Sequence, residues 1–76
     1  MTVTKFKKII AQVSIDINNM IFVDSNTGLE YDYDDIYGNE QIFGEREIDF
    51  IGSRILVNDA CNKQYRATSQ IVIYLI

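Results

Sequence analysis

Seventy-six residues, no histidine, one cysteine and a formal net charge of −4 at pH 7 set the first limits. A chain this short makes one domain, residues 1–76, which buries only about 60–65 % of its unfolded surface. Apolar residues at 47 % and charged residues at 24 % exclude disorder.

The longest purely apolar run, Ile71 to Ile76, is far short of a membrane span. Lys5, Lys7 and Lys8 precede only Ile9-Ile10-Ala11 before Gln12, so no signal-peptide core is formed and a cytoplasmic location is expected. Without histidine the usual general base, the Ser–His and Cys–His pairs and the commonest transition-metal ligand are missing. Cys61 alone makes neither an internal disulfide nor a cysteine-pair zinc site. Nothing in Asn58-Asp59-Ala60-Cys61-Asn62-Lys63 lowers its pKa, so it reads as an incidental small residue. No catalysis, cofactor or metal is expected.

The eighteen Ile and Val against three Leu, with nine aromatics, favour a pleated and half-buried surface. In chain order, Val3, Phe6, Ile9, Ile10, Val13 and Ile17 recur at helical spacing, with Thr2 or Thr4 as N-cap. Ile9, Ala11, Val13, Ile15 and Ile17 also alternate as a strand would. The pattern predicts a helix over about residues 3–12 yielding to a strand at Val13 to Ile17. A single helix to about residue 20 is the alternative.

Met20 to Asp24, the turn Ser25-Asn26-Thr27-Gly28, and Leu29 to Tyr33 predict a β-hairpin, Gly28 supplying the positive φ. Leu29, Tyr31 and Tyr33 then share one face and Glu30, Asp32 and Asp34 the other. Asp35 to Phe43, punctuated by Gly38 and Gly44, is a short helix or loop. Strands follow at Glu47 to Phe50, at Arg54 to Val57 after Gly52-Ser53, and at Ile71 to Ile76, with a polar loop from Asn58 to Ser69. The expected class is α+β: an N-terminal helix packed on a small antiparallel β-sheet of four to five strands.

Charge is distributed unevenly. Residues 30–49 hold eight of the eleven acids against Arg46 alone, a net of −7, while the other fifty-six residues net +3. Such polarity speaks to partners and association rate and not to fold. Interleaved Tyr31, Tyr33, Tyr37 and Phe43 supply amphipathic anchors of the kind enriched at interfaces. The candidate partner-binding set is Glu30, Tyr31, Asp32, Tyr33, Asp34, Asp35, Tyr37, Glu40, Glu45, Glu47 and Asp49. Two readings stand side by side: a solvated face that keeps a small domain soluble, and an acidic surface that occupies a basic groove on another protein. Direct nucleic-acid binding is not expected, because Lys5, Lys7 and Lys8 form the only basic cluster. Asp24-Ser25-Asn26-Thr27-Gly28 begins like a calcium loop, but Gly28 and Leu29 stand where a third oxygen ligand and the glycine belong, and a hairpin turn explains the same residues.

The order Thr4-Lys5-Phe6-Lys7-Lys8-Ile9-Ile10, the segment Val13 to Ile17, Tyr33-Asp34-Asp35-Ile36, Arg46-Glu47-Ile48-Asp49-Phe50-Ile51 and the terminal Ile71-Val72-Ile73-Tyr74-Leu75-Ile76 resembles small uncharacterised phage and prophage proteins of low-GC Gram-positive hosts. The longer loop Asn58 to Ser69 departs from that pattern. The resemblance carries no assigned active site. It implies a setting rich in small acidic proteins that bind host machinery, to which anti-CRISPR proteins are similar in size and charge, an analogy of class.

Two functions follow as expectations. One is an inhibitor whose acidic, tyrosine-bearing face docks on the basic nucleic-acid groove of a host protein, a CRISPR effector or other defence nuclease, in the host cytoplasm. The other is a structural or assembly protein that self-associates through its apolar C-terminal strand. Ile71, Ile73 and Leu75 on one face and Val72, Tyr74 and Ile76 on the other make both faces of that strand apolar, so it must be central or paired with another chain. The small size of the domain favours a homodimer.

Overall fold

A computed structural model describes the backbone of residues 1–59 and 65–76, and the surroundings of side chains up to 55 and from 69. Helix α1 spans Val3–Ile10 and a 3₁₀ turn Ile17–Asn19. Strand β1 (Met20–Asp24), strand β2 (Glu30–Asp32), helices α2 (Tyr33–Tyr37) and α3 (Glu40–Phe43), and strands β3 (Ile48–Asp59) and β4 (Tyr65–Leu75) follow. The strands form one sheet in the order β2-β1-β4-β3. The class is α+β, as expected. The expectation of a wholly antiparallel sheet is corrected at one pairing: β1 and β4 run parallel, Met20 opposite Ile71 through Asp24 opposite Leu75.

The start of α1 follows from capping and spacing. Thr2 is extended and its hydroxyl accepts from the Lys5 N–H, satisfying one of the first-turn donors. Val3, Phe6 and Ile10, three and four residues apart, are buried against the sheet. The helix ends at Ile10, two residues short of the expected boundary.

The strand expected at Val13 to Ile17 does not form. Val13 and Ile17 are exposed, and only Ile15 packs against the core. Asp16 decides the outcome. Its carboxylate accepts from the Asn18 N–H at 3.0 Å and from the Asn19 side-chain amide at 2.9 Å, offering the backbone a local turn in place of a ladder.

The expected hairpin β1–β2 forms, with Gly28 at φ 75°, but its second strand is only Glu30–Asp32: Leu29 lies outside it, and Tyr33 opens α2 because Asp32 caps a helix there. The Asp24 carboxylate closes the turn by accepting from the N–H groups of Asn26 at 2.9 Å and Thr27 at 3.3 Å. Arg46 reaches the same carboxylate at 3.3 Å and donates through Nε to the Ile76 carbonyl at 2.9 Å. Those contacts lock the turn to the end of the sheet. The Asn26 N–H, more than Arg46, holds the Asp24 carboxyl below the usual aspartate range, against an opposing push from burial.

Beyond Gly52-Ser53, β3 continues unbroken to Asp59, and β4 starts at Tyr65. Most of the polar loop expected at Asn58 to Ser69 is therefore strand; Cys61 lies outside the described residues. The two strands pair with each other from Arg54 opposite Gln70 to Asp59 opposite Tyr65, past the end of β1, as a two-stranded ribbon. A ribbon closes its backbone hydrogen bonds without apolar alternation, so polar sequence did not prevent it.

The helices cover one face of the sheet. Phe22 lies fully buried there, meeting Phe6 and Tyr37 edge-on at centroid distances of 6.5 and 5.8 Å. Ile36, Ile73 and Leu75 complete the layer with no exposed surface. β4 is central, flanked over Ile71–Leu75 by β1 and β3. A second chain therefore has no free backbone edge along that segment. On the opposite face Phe50 stacks on Tyr74 at 4.2 Å, and no helix covers them.

Phe22→Ala should cost about 3–5 kcal/mol, out of the roughly 4–11 kcal/mol available to a chain of this length. Ile42→Ala, at a side chain 66 % exposed, should stay within about 0.5 kcal/mol. Urea titrations of both variants measure the contrast.

A second expectation concerns acid. Because the Asp24 carboxyl sits below its unfolded value, its contribution is complete above about pH 4 and is lost as the pH falls through the folded value. Asp24→Asn should therefore lower stability at neutral pH and shrink the further loss on acidification to about pH 2–3. An unchanged acid dependence in the variant would refute the role assigned to this carboxylate.

Candidate partner-binding surface

The acids of residues 30–49 do not act as one set: three of the eight are paired with cations of the chain itself. Glu30, on β2, meets the Arg54 guanidinium of β3 through both carboxylate oxygens, and Arg54 Nε donates to Gln70 Oε1 at 2.7 Å. The pair crosses the uncovered face of the sheet between its two edge strands. Arg54 holds the Glu30 carboxyl below the usual range. Glu40 accepts from Lys7 Nζ at 2.8 Å, and this contact, more than the charge alone, raises the lysine pKa. Glu47 meets the Met1 ammonium at 3.0 Å.

All three tyrosines are partly buried and pack against the core. The Tyr31 ring packs on Phe43 at 5.1 Å against the core. Tyr37 is half-buried: its hydroxyl donates to the Val3 carbonyl at 3.0 Å, and Lys7 Nζ lies 5.3 Å from the ring centroid. Burial raises the Tyr37 hydroxyl pKa well above the ordinary tyrosine value. Tyr33 packs on Tyr37 at 4.6 Å and keeps part of its surface outward.

What remains outward is concentrated where β2 passes into α2. Asp32 and Asp35 form a reciprocal capping box: Asp32 Oδ1 accepts from the Asp35 N–H at 2.7 Å and Asp35 Oδ2 from the Asp32 N–H at 3.2 Å. Both carboxylates also satisfy the helix dipole while remaining solvent-exposed. Asp34 between them is exposed and has no ion-pair partner among the described residues. Glu45 and Asp49 are exposed elsewhere, Asp49 at the bulge that opens β3.

Beside the α2 tip lies a shallow depression of about 120 Å³ lined by Ile17, Asn18, Asp32, Tyr33 and Asp34. Sequence spacing did not bring Ile17 and Asn18 into the candidate set, because they come from the 3₁₀ turn that replaced the expected strand. The capping box, in contrast, was readable in Asp32-Tyr33-Asp34-Asp35 as an N-cap acid followed three residues on by another.

A depression with two flanking carboxylates, an amide, a phenol ring and one aliphatic wall suits a basic side chain with an apolar stem. Among the described residues, no three His, Cys, Asp or Glu side chains converge as metal ligands, and no helix is long and apolar enough to cross a membrane. The Asp24 carboxylate, where a calcium loop would begin, is turned to the Asn26 and Thr27 N–H groups and to Arg46.

Comparison with protein-family models, with curated proteins and with solved structures gives no match for this chain.

Proposed function

We propose that this chain is a non-catalytic binding protein whose acidic α2 tip docks on a basic groove of another protein and excludes nucleic acid from it. The observation that supports this reading is the contrast within the acidic set. Glu30, Glu40 and Glu47 are each matched by a cation of the chain itself. Asp32 and Asp34 line a depression that one basic side chain would fill, and Asp35, exposed and capping beside Asp32, has no cation of the chain against it among the described residues. Carboxylates left unmatched on a rigid helix start steer a basic partner and fix its register. A host defence nuclease, such as a CRISPR effector, is the partner class that the phage-like resemblance brings to this proposal.

The test must separate charge from folding, because Asp32 and Asp35 also cap α2. Lysine at those positions would remove the cap, worth about 1 kcal/mol. Asparagine keeps an oxygen to accept the same N–H groups. The triple variant Asp32→Asn, Asp34→Asn, Asp35→Asn should therefore keep its circular dichroism and lose at least about tenfold in affinity for the basic partner. Displacement of labelled DNA or RNA from purified defence nucleases reads the effect, and wild-type displacement should weaken as salt rises. Equal displacement by wild type and triple variant would overturn the acidic-docking reading.

A further inference from the structure

The two edges of the sheet are built differently. The β2 edge is three residues long and carries the exposed acids Glu30 and Asp32, two of the ordinary devices that blunt an edge. The β3 edge is twelve residues long; Met1 caps its start, its carbonyl accepting from the Ile48 N–H at 2.9 Å, and beyond that no strand among the described residues occupies its outer side. Asp49 marks a bulge at its start, after which pairing with β4 is regular from Phe50 onward.

From Phe50 to Leu56 this edge has no proline, no lysine and no acid. Its one charge, Arg54, is already bound by Glu30. The side chains flanking the open backbone are apolar and uncovered: Ile51 is 51 % exposed and Ile55 69 %. Ile51 stands opposite Ile73 and Ile55 opposite Ser69, so both lie on the helix-bearing face, beyond the reach of the helices. Phe50 is exposed on the other face.

We propose that β3 pairs antiparallel with β3 of a second copy about a two-fold axis at Ser53, giving one continuous eight-stranded sheet. An open strand edge is filled by another strand, and a two-fold interface requires a segment that complements its own reverse. The segment meets that condition. With the axis at Ser53, Ile51 of each copy faces Ile55 of the other on the same side of the sheet, an apolar cross-strand pair formed twice. Gly52 faces Arg54, so the guanidinium held by Glu30 meets no opposing side chain, and Phe50 faces Leu56.

Neighbouring registers are poorer. An axis at Gly52 sets Ile55 against Asp49, and an axis at Arg54 sets that arginine against its own copy. Charge points the same way. The chain as a whole carries −4, but residues 50–56 carry only Arg54, so two copies approach here without acid facing acid. The acidic α2 tips follow β2 and so stand at the outer ends of the joined sheet.

Light scattering after size exclusion tests the pairing over about 10 μM to about 1 mM, the range suited to a weak interface. The wild-type mass should rise from 8.8 kDa toward twice that value. The double variant Ile51→Lys, Ile55→Lys should keep its circular dichroism and remain at the monomer mass. Phe50→Ala, which removes the exposed ring but not the backbone edge, should still dimerise. If the lysine variant fails to fold, Ser53→Cys in a Cys61→Ser background decides the question. Residues facing each other across the axis lie within disulfide reach, and the sample should cross-link on oxidation. A wild-type mass of 8.8 kDa at every concentration would overturn the proposal. So would a dimer that survives both lysines but is lost in Phe50→Ala, or one that fails to cross-link through Ser53→Cys.

Discussion

The parallel contact of β1 with β4 is the constraint around which everything else is arranged. It joins Met20–Asp24 to Ile71–Leu75, segments about fifty residues apart in the chain, and it places Phe22 opposite Ile73 at the centre of the buried face. Parallel neighbours cannot be linked by a tight turn; the connection has to cross over and return in the same direction. Here the crossover contains β2, α2, α3 and β3. Its helices close the core above Phe22 together with α1, while its last strand adds to the far side of β4. One face of the sheet is thereby filled and the other is left to Phe50, Tyr74 and the Arg54–Glu30 pair.

Electrostatics follow from that layout more than from local sequence. A run with a net of −7 looks like one acidic surface when read along the chain. In the fold it is divided, because the crossover carries successive acids past different cations. Glu30 meets an arginine of the opposite edge strand, Glu40 a lysine of the first helix, and Glu47 the chain's own ammonium. Exposed pairs of this kind add little stability each. Their effect is selective: they neutralise some acids and leave the α2 tip as the place where negative charge is concentrated.

The parts legible in the sequence were those specified by local chemistry. Thr2 and the spacing of Val3, Phe6 and Ile10 are enough for the first helix, and Asp24 with Gly28 is enough for the hairpin turn. The double apolar face of Ile71 to Ile76 called for a central strand or a second chain beside it, and the sheet places β4 centrally. The parallel register was not legible, because no turn chemistry encodes a partner fifty residues away. Val13 to Ile17 misled because side-chain alternation is only a pattern, whereas Asp16 makes two actual hydrogen bonds that end it. Asn58 to Ser69 misled for the converse reason: its polar residues gave no strand signal, and backbone pairing within the ribbon supplied one. Of the candidate surface, the three α2 acids were visible, but the internal use of Tyr31 and Tyr37 depends on which face of α2 and β2 meets Phe22.

The central position of β4 also sets an order of pairing as the sheet forms. The strand that separates β1 from β3 follows both in the chain, so until it docks β1 has only the short β2 as a neighbour and Phe22 lacks Ile73 beside it. A two-stranded hairpin is marginal in water on its own. The sheet therefore closes only when β4 inserts between β1 and β3, in a step dominated by distant contacts, which places its folding with slower mixed and sheet-rich domains and not with small helical bundles. With no proline in the sequence, that late closure has no prolyl isomerisation to wait for.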